Sequence, residues 1–391
     1  MTRRLGVICG ACLLLGALAF VVVIGQNGMY DRDWFTFWGG GRGVLNSADI
    51  YDPIIWAEIT RDNGSPWLPN PIFIFAPPTA ILFAPFAALR VDVAAFVWTW
   101  LSEIFVVLSV WLIARGMCWT RLVTVAPFWS VGISLFLPCL LTLLMGQVSA
   151  LLLILVVSAA VLWDRDRWLA GGLLLGLTIV KPQPVAFLIP MIALWLLVNR
   201  RWRALVGLAV SLGTGVFATL VFFPTFFQDW QIVVTTKVGG VAARMPTIWG
   251  LTLDLFGASS LALASAATLC LLALAACGFI ILRWHDCRAL ELVSVLLVFS
   301  LLVTPYLWNY DQILLVMPLL VALIRLDQRG VSFRTMVLFL PLVLDLIAIV
   351  FFVIASIRLE DALSASLSIL VGVVLWSALG KRSRLSIEGV L

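Results

Sequence analysis

The chain has 391 residues, of which 63% are hydrophobic and only 12% charged, and its mean hydropathy is +1.13. Soluble domains carry about 25% charged residues, so this composition excludes an ordinary soluble globular protein and points to a polytopic membrane protein. The net charge of +5 is spread over short clusters with no continuous basic face, which excludes nucleic acid as a partner.

Apolar runs recur from residue 5 almost to residue 380. Lipid cannot satisfy open backbone groups, and the runs lack the alternation of barrel strands. The expected fold is therefore an all-α bundle of roughly ten to thirteen transmembrane helices, each of about 20 residues. It forms one integral membrane domain over residues 1–391.

The first segment, "MTRRLGVICGACLLLGALAFVVVIG", has a basic head and an apolar body longer than a signal-peptide core, without a clean small-x-small cleavage site. It reads as an uncleaved helix with Arg3 and Arg4 in the cytoplasm. Seven cysteines are scattered at 9, 12, 118, 139, 270, 277 and 287, and the one CxxC pair, "CGAC", lies inside this helix, so they read as small packing residues. The single histidine, His285, sits in "RWHDCR"; no metal ligand set can be assembled around it, and no cofactor or divalent cation is indicated.

Residues 26–74 form the longest stretch that does not span, the first outer loop. Six acids stand against three arginines there, net −3, unlike a cytoplasmic loop. Its aromatics, Trp34, Phe35, Phe37, Trp38, Trp56 and Trp67, read mostly as interfacial anchors, with stacking on a sugar face as the other role. Positions 34, 37, 38, 41 and 45 fall on one helical face, which predicts a short helix in the interface plane with its aromatic stripe toward lipid. Asp33 opens that helix. It reads both as an N-cap and, with Asp31 beside it, as a general base at the membrane surface, roles that are compatible. Arg42 lies half a turn out of phase and about 13 Å further along; it reads equally as a phosphate-binding fork or a snorkelling arginine.

Further on, "FAPPTAILFAPFAAL" (75–89) is either re-entrant or balanced by another short helix between 114 and 146. The mixed "DRDR" at 164–167 gives no sidedness. Pro182 and Pro184 break the run 169–198, which predicts a hairpin turning back at "KPQP". The hairpin puts Lys181, Gly146 and Gln147 on the outer side. An ammonium at membrane depth faces a cavity or a partner, so Lys181 reads as a phosphate contact at the break or as one half of a structural ion pair. Gln147 lines the same cavity or bonds a neighbouring helix.

Downstream, "NRRWR", "RWHDCR", "RLDQRGVSFR" and "KRSR" are basic and belong inside. Helices follow near 204–223, 259–282, 289–304, 313–326, 335–356 and 362–379. A second outer loop spans 224–250, where Lys237 and Arg244 offer positive charge to an anionic headgroup. "WNYDQ" places Asn309, Tyr310 and Asp311 at an outer helix end.

In order along the chain, "DRDWFTFWGGGRGVLNSADIYDP", "FAPPTAILFAPFAAL", "GQVSALLLIL", "AGGLLLGLTIVKPQP…NRRWRAL", "ARMPTIWGLTLDLFG" and "TPYLWNYDQILLVMPLL" resemble glycosyltransferase family 87 of the GT-C membrane enzymes and its bacterial relatives. The resemblance covers roughly residues 1 to 330. It implies a GT-C-type bundle with an extracytoplasmic first loop and an aspartate at the start of that loop as base, here Asp33. The donor it implies is a polyprenyl-phosphate sugar, commonly mannose or arabinofuranose, passed with inversion to a hydroxyl of a glycolipid or glycan. The residues expected around the substrates are Arg42, Gln147, Lys181, Arg244, Tyr310 and Asp311. Mannose-transferring members carry histidine in a late "P-x-x-W-x-H" segment, and Tyr310 stands at that position here, so mannose specificity does not carry over. The implied location is the bacterial inner membrane, multi-pass, with the active site facing the periplasm or exterior. A secondary transporter is the main rival, although only one broken segment and no repeat are found; a non-catalytic envelope-assembly protein is the other.

Overall fold

The computed structural model describes residues 16, 30, 32–65, 73–119, 136–226, 228, 231, 242–284, 287–331 and 365–379. Most of the first apolar helix with its "CGAC", and Asp31, Trp67, Lys237, His285 and the helix expected at 335–356, lie outside the described residues.

Among the described residues all regular structure is helical. In chain order the helices are α1 (Asp33–Leu45), α2 (Pro53–Asp62), α3 (Pro77–Ala87), α4 (Val91–Gly116), α5 (Leu137–Met145), α6 (Ser149–Trp163), α7 (Trp168–Gly176), α8 (Leu188–Val198), α9 (Trp202–Phe222), α10 (Ile248–Phe256), α11 (Ser260–Arg283), α12 (Ala289–Val303), α13 (Val316–Gln328) and α14 (Ala365–Leu379). Short 3-10 turns extend α7 over Leu177–Val180, precede α8 at Gln183–Val185 and lead into α13 over Asn309–Leu315. Three single helices, α4, α9 and α11, and the continuous segment Asn309–Gln328 are long and apolar enough to cross a membrane, and six shorter apolar helices pack among them. The chain is an all-α polytopic membrane protein.

Hydrogen bonds between helix ends fix the direction of each helix. At one end of the bundle, Arg288 donates to Gly116 O (3.2 Å), Gln328 to Met117 O (3.1 Å) and the Trp119 indole to Asp327 (2.9 Å). Asp164 accepts from Ala289 N at 2.6 Å and so caps α12 from a different part of the chain. "DRDR" is thereby placed beside "RWHDCR", a position its mixed charge could not give. At the opposite end the Trp98 indole donates to Gly146 O (3.0 Å) and the Ser149 hydroxyl to Asp311 (2.5 Å).

The run 169–198 is a hairpin. Arg201 stacks over the Trp168 ring at 4.1 Å, so the end of α8 returns to the start of α7. A broken helix at membrane depth frees backbone groups that need partners, and hydroxyls supply them. Thr79 donates to Val180 O, Thr304 to Gln183 O (3.1 Å) and Ser300 to Pro184 O (3.1 Å), while Leu188 N donates back to Ser300 (3.0 Å). Helix α3 is too short to span, with 11 residues and thus about 16 Å of length. Its first turn meets Val180 and its last meets Arg42, which donates to Ala87 O at 3.2 Å. Helix α5 is a short helix within the region between 114 and 146, where one of the two alternatives placed it.

The structure corrects the reading of α1. Its aromatics do not face lipid: Trp34, Phe35, Phe37 and Trp38 are all buried, as is Trp56. The reason is the glycine run. A Cβ on Gly41 would sit 2.6 Å from Phe83 O, and one on Gly40 would sit 2.5 Å from the Phe73 ring. The bare face of α1 thus lets α3 and residues around Phe73 close over the helix, and the close approach serves protein packing rather than a ligand. Gly41→Ala should force two backbones apart, which costs about 1–3 kcal/mol. A clear drop in the thermal midpoint of purified protein in detergent is expected; an unchanged midpoint would show that α1 and α3 separate without cost.

Candidate functional site

Four buried polar side chains meet one half-buried acid at the end of the bundle where the hairpin turns. Asp33 is the first residue of α1, but it does not cap it: the cap position is Arg32, and no side chain bonds the first turn. The Asp33 carboxylate instead turns to Gln147, whose Nε2 donates to Oδ2 at 2.5 Å. Gln147 follows Gly146, which ends α5 in the left-handed region (φ 65). A Cβ there would lie 2.6 Å from Trp34 Cβ. Glycine therefore serves both the turn and the close approach of α1.

Gln147 bridges two charges. Its Oε1 accepts from Lys181 Nζ at 2.8 Å, and Lys181 also donates to Asp311 Oδ1 (2.5 Å) and Ser149 Oγ (3.2 Å). The ammonium lies 4.5 Å from the centre of the Tyr310 ring. Asp311 accepts from Ser149 and, through Oδ2, from Trp308 N at 3.3 Å, which pins the start of the 3-10 segment. Lys181 is 5% exposed and Asp311 1%, whereas Gln147 and Ser149 are fully buried. Asp33 and Tyr310 are only half-buried. Thr142 holds the Tyr310 carbonyl at 2.8 Å. Burial raises the Asp33 carboxyl above its ordinary 3.8, opposed first by the Gln147 bond and then by the Lys181 charge.

Helices that end at this cluster are short. Helix α6 starts at Ser149 and α12 stops at Val303; each has 15 residues, about 22 Å against a hydrocarbon core of about 30 Å. The cluster lies where these two short helices meet the start of the longer segment Asn309–Gln328. An open rim surrounds it. Tyr306 and Trp308 are half-buried and braced together, the indole donating to the Tyr306 hydroxyl at 3.0 Å. Leu307 N donates to the Met245 sulfur at 3.4 Å, which brings Arg244, in the turn Ala242–Arg244, to the same rim.

Of the residues singled out in the sequence, Asp33, Gln147, Lys181, Tyr310 and Asp311 come together. Arg244 reaches the rim, and Asp31 lies outside the described residues. Arg42 does not join them: α1 runs unbroken to Leu45, and Arg42 points to Ala87, Asn63 (3.4 Å) and the Trp38 ring. Two participants went unnoticed in the sequence. Ser149 carried a signal, a hydroxyl two residues past Gln147 at a helix start. Arg32 is the other. Among the described residues its Nη1 reaches only the Met145 sulfur (3.6 Å), and its Nε is buried without a partner. Among the described residues no group of three or more His, Cys, Asp or Glu side chains is placed to hold a metal ion.

An all-helical membrane bundle with a half-open carboxylate defines the class. Residues 73–305 match the sequence model of Glycosyltransferase family 87, and the chain belongs to that family of membrane glycosyltransferases, enzymes acting on a sugar donor and an acceptor. No curated protein and no solved structure matches it. The matched span holds Gln147, Lys181 and Arg244, whereas Asp33, Tyr310 and Asp311 fall outside it and enter the site through their geometry.

Breaking one half of a buried ion pair strands the other charge, at a cost of about 3–5 kcal/mol. Lys181→Met should therefore lower the thermal midpoint sharply, and adding Asp311→Asn should recover part of the loss. Equal stability of wild type and Lys181→Met would show that the pair does not hold the bundle.

Proposed function

We propose that the protein is an inverting glycosyltransferase that moves a sugar from a polyprenyl-phosphate donor to a hydroxyl of a glycolipid or glycan, with Asp33 as general base. One observation supports this above the rest: Asp33 is the acid of the cluster that is left open, while the charges of Lys181 and Asp311 are sealed against each other behind it. A base needs a carboxylate within hydrogen-bond reach of the acceptor hydroxyl, held so that it need not reorganise. Gln147 holds it. In a single displacement the acceptor O–H proton passes to Asp33, the acceptor oxygen bonds the anomeric carbon, and the bond to the phosphate oxygen breaks. Polyprenyl phosphate leaves with the electron pair.

In this reading Lys181 and Asp311 are positioning residues, acting on Asp33 through Gln147 rather than on the donor. Arg32 meets the donor phosphate, because its Nε donor is unspent beside Asp33 and a guanidinium fork suits phosphate oxygens. Arg244 adds charge at the rim. A site at the end of a membrane bundle suits a lipid-linked donor, whose phosphate sits near the membrane surface. Donors of this kind are used after their carrier has crossed the membrane, so the site faces the periplasm or exterior. A transporter would need its intramembrane charge available to cargo, and Lys181 is committed to Asp311.

Asp33→Asn keeps an acceptor for the Gln147 amide but removes the proton acceptor, so transfer from a labelled polyprenyl-phosphate sugar should fall about 10²-fold or more. Near-normal turnover in a folded Asp33→Asn protein would move the base elsewhere. The base works only when deprotonated, and its pKa is raised, so wild-type kcat/KM should fall with acidification at a pH above the ordinary carboxylate value of 3.8; a profile flat down to that value would contradict the assignment. Arg32→Gln should raise the donor KM with little change in kcat, since the phosphate charge is already present in the ground state.

Sidedness has its own test. A cysteine replacing the exposed Ser47, in a background without native cysteines, should react with an impermeant thiol reagent in cells whose outer barrier is opened. One replacing Arg165 in the loop by α12 should not. The reverse pattern would invert the topology and remove the polyprenyl-donor mechanism.

A further inference from the structure

Arg42, counted among the substrate contacts in the sequence, lies half a turn out of phase with Asp33 on α1 and lines a separate cleft of about 390 Å³ with Tyr30, Trp38, Asn63, Arg90 and Asp92. We propose that this cleft seats a phosphate-bearing lipid, at a site distinct from the Asp33 centre. The inference stands on its own and does not depend on the transferase mechanism.

The first support is the state of the two guanidinium groups. Arg42 is fixed by Ala87 O, by Asn63 Oδ1 and by the Trp38 ring at 5.4 Å. Among the described residues its Nη2 has no hydrogen-bond partner, and it is not buried. A guanidinium whose orientation is already set loses little freedom on binding an anion. Arg90 is 78% exposed and, among the described residues, paired only with Asp92, at 2.9 Å. Exposed pairs of this kind are weak because water screens both charges, so Arg90 can exchange that partner for a phosphate. Two guanidinium groups against the one carboxylate of Asp92 leave a single positive charge, the complement of a phosphodiester.

The second support is position. The cleft ends where α4 begins, and α4 is a 26-residue helix able to cross the membrane. Leu89 and Val93 flank that start, 43% and 45% exposed, and Trp100 follows further along the helix at 37%. An apolar sill thus leads from the hydrocarbon into a cationic cleft with a polar wall. A free anion has no use for the sill, and a lipid without phosphate has none for the arginines. The ligand that uses both carries an acyl or isoprenoid chain on one side and a phosphate on the other. Bulk phospholipid and the isoprenoid phosphate carrier share that chemistry.

Lipid retention tests this without turnover. Full-length protein purified in detergent would be equilibrated with phosphatidylglycerol, with a polyprenyl monophosphate or with diacylglycerol as the phosphate-free control, and the lipid carried through native mass spectrometry counted. Wild type should retain at least one phosphate-bearing lipid and no diacylglycerol. Retention of both phosphate lipids identifies a general headgroup seat, and retention of the polyprenyl phosphate alone identifies a seat for the carrier. Arg90→Gln, on an exposed side chain, should cut phosphatidylglycerol retention severalfold, and adding Arg42→Gln should abolish it, while polyprenyl phosphate retention should fall by the one molecule held in the cleft. Arg42 also caps α3, so Arg90→Gln keeps the test valid if the double variant folds poorly. Asp33→Asn should retain lipid like wild type, which separates this outcome from any failure of the catalytic assignment. Equal retention of diacylglycerol, retention unchanged by Arg90→Gln, or retention lost in Arg32→Gln instead would overturn the proposal.

Discussion

The site depends on one ion pair, Lys181 with Asp311, buried in the bundle away from solvent. Removing two ions from water costs several kcal/mol each, repaid only when geometry and further hydrogen bonds are good. Here the remaining donors and acceptors are met by Gln147, Ser149 and Trp308 N, with the Tyr310 ring against the ammonium. Because those partners come from the turn after α5, the start of α6, the hairpin break and the segment before α13, the pair ties four parts of the chain to one point. Asp33 is attached to that point by a single amide.

The hairpin break puts Lys181 in reach. A continuous helix through residue 181 would carry the ammonium past Asp311, and Pro182 and Pro184 prevent continuation. The cost of the break is met by Thr79, Ser300 and Thr304, whose hydroxyls bond the freed carbonyls. The same break divides the run 169–198 into two short arms, so the chain turns back at the cluster.

Helix α1 shows how a surface-like sequence becomes core. Its glycines strip the helix of side chains along one face, α3 closes against it, and the aromatics that would suit an interface are covered. The two ends of this rigid rod then present different chemistry on opposite faces: a carboxylate at the first residue and a guanidinium nine residues on.

The sequence by itself determined the membrane class, the all-helical fold and the hairpin at "KPQP", because these follow from local quantities: hydropathy over a span's length, the absence of alternation, and proline's missing donor. It also marked most of the polar cluster, since polar groups such as Lys181 and Gln147 are conspicuous in apolar runs. The family was legible in the order of its short motifs, and the match over residues 73–305 shows it. Tertiary structure decided what the side chains touch. Residues 33, 147, 181 and 311 are far apart in the chain, and only packing makes them neighbours. Packing also kept α1 straight through its glycines, buried the α1 aromatics and gave "DRDR" its place beside α12. Sequence periodicity fixes which residues share a helical face, but what that face meets depends on the shapes of other helices, and a glycine face admits either lipid, ligand or backbone until the neighbours are known.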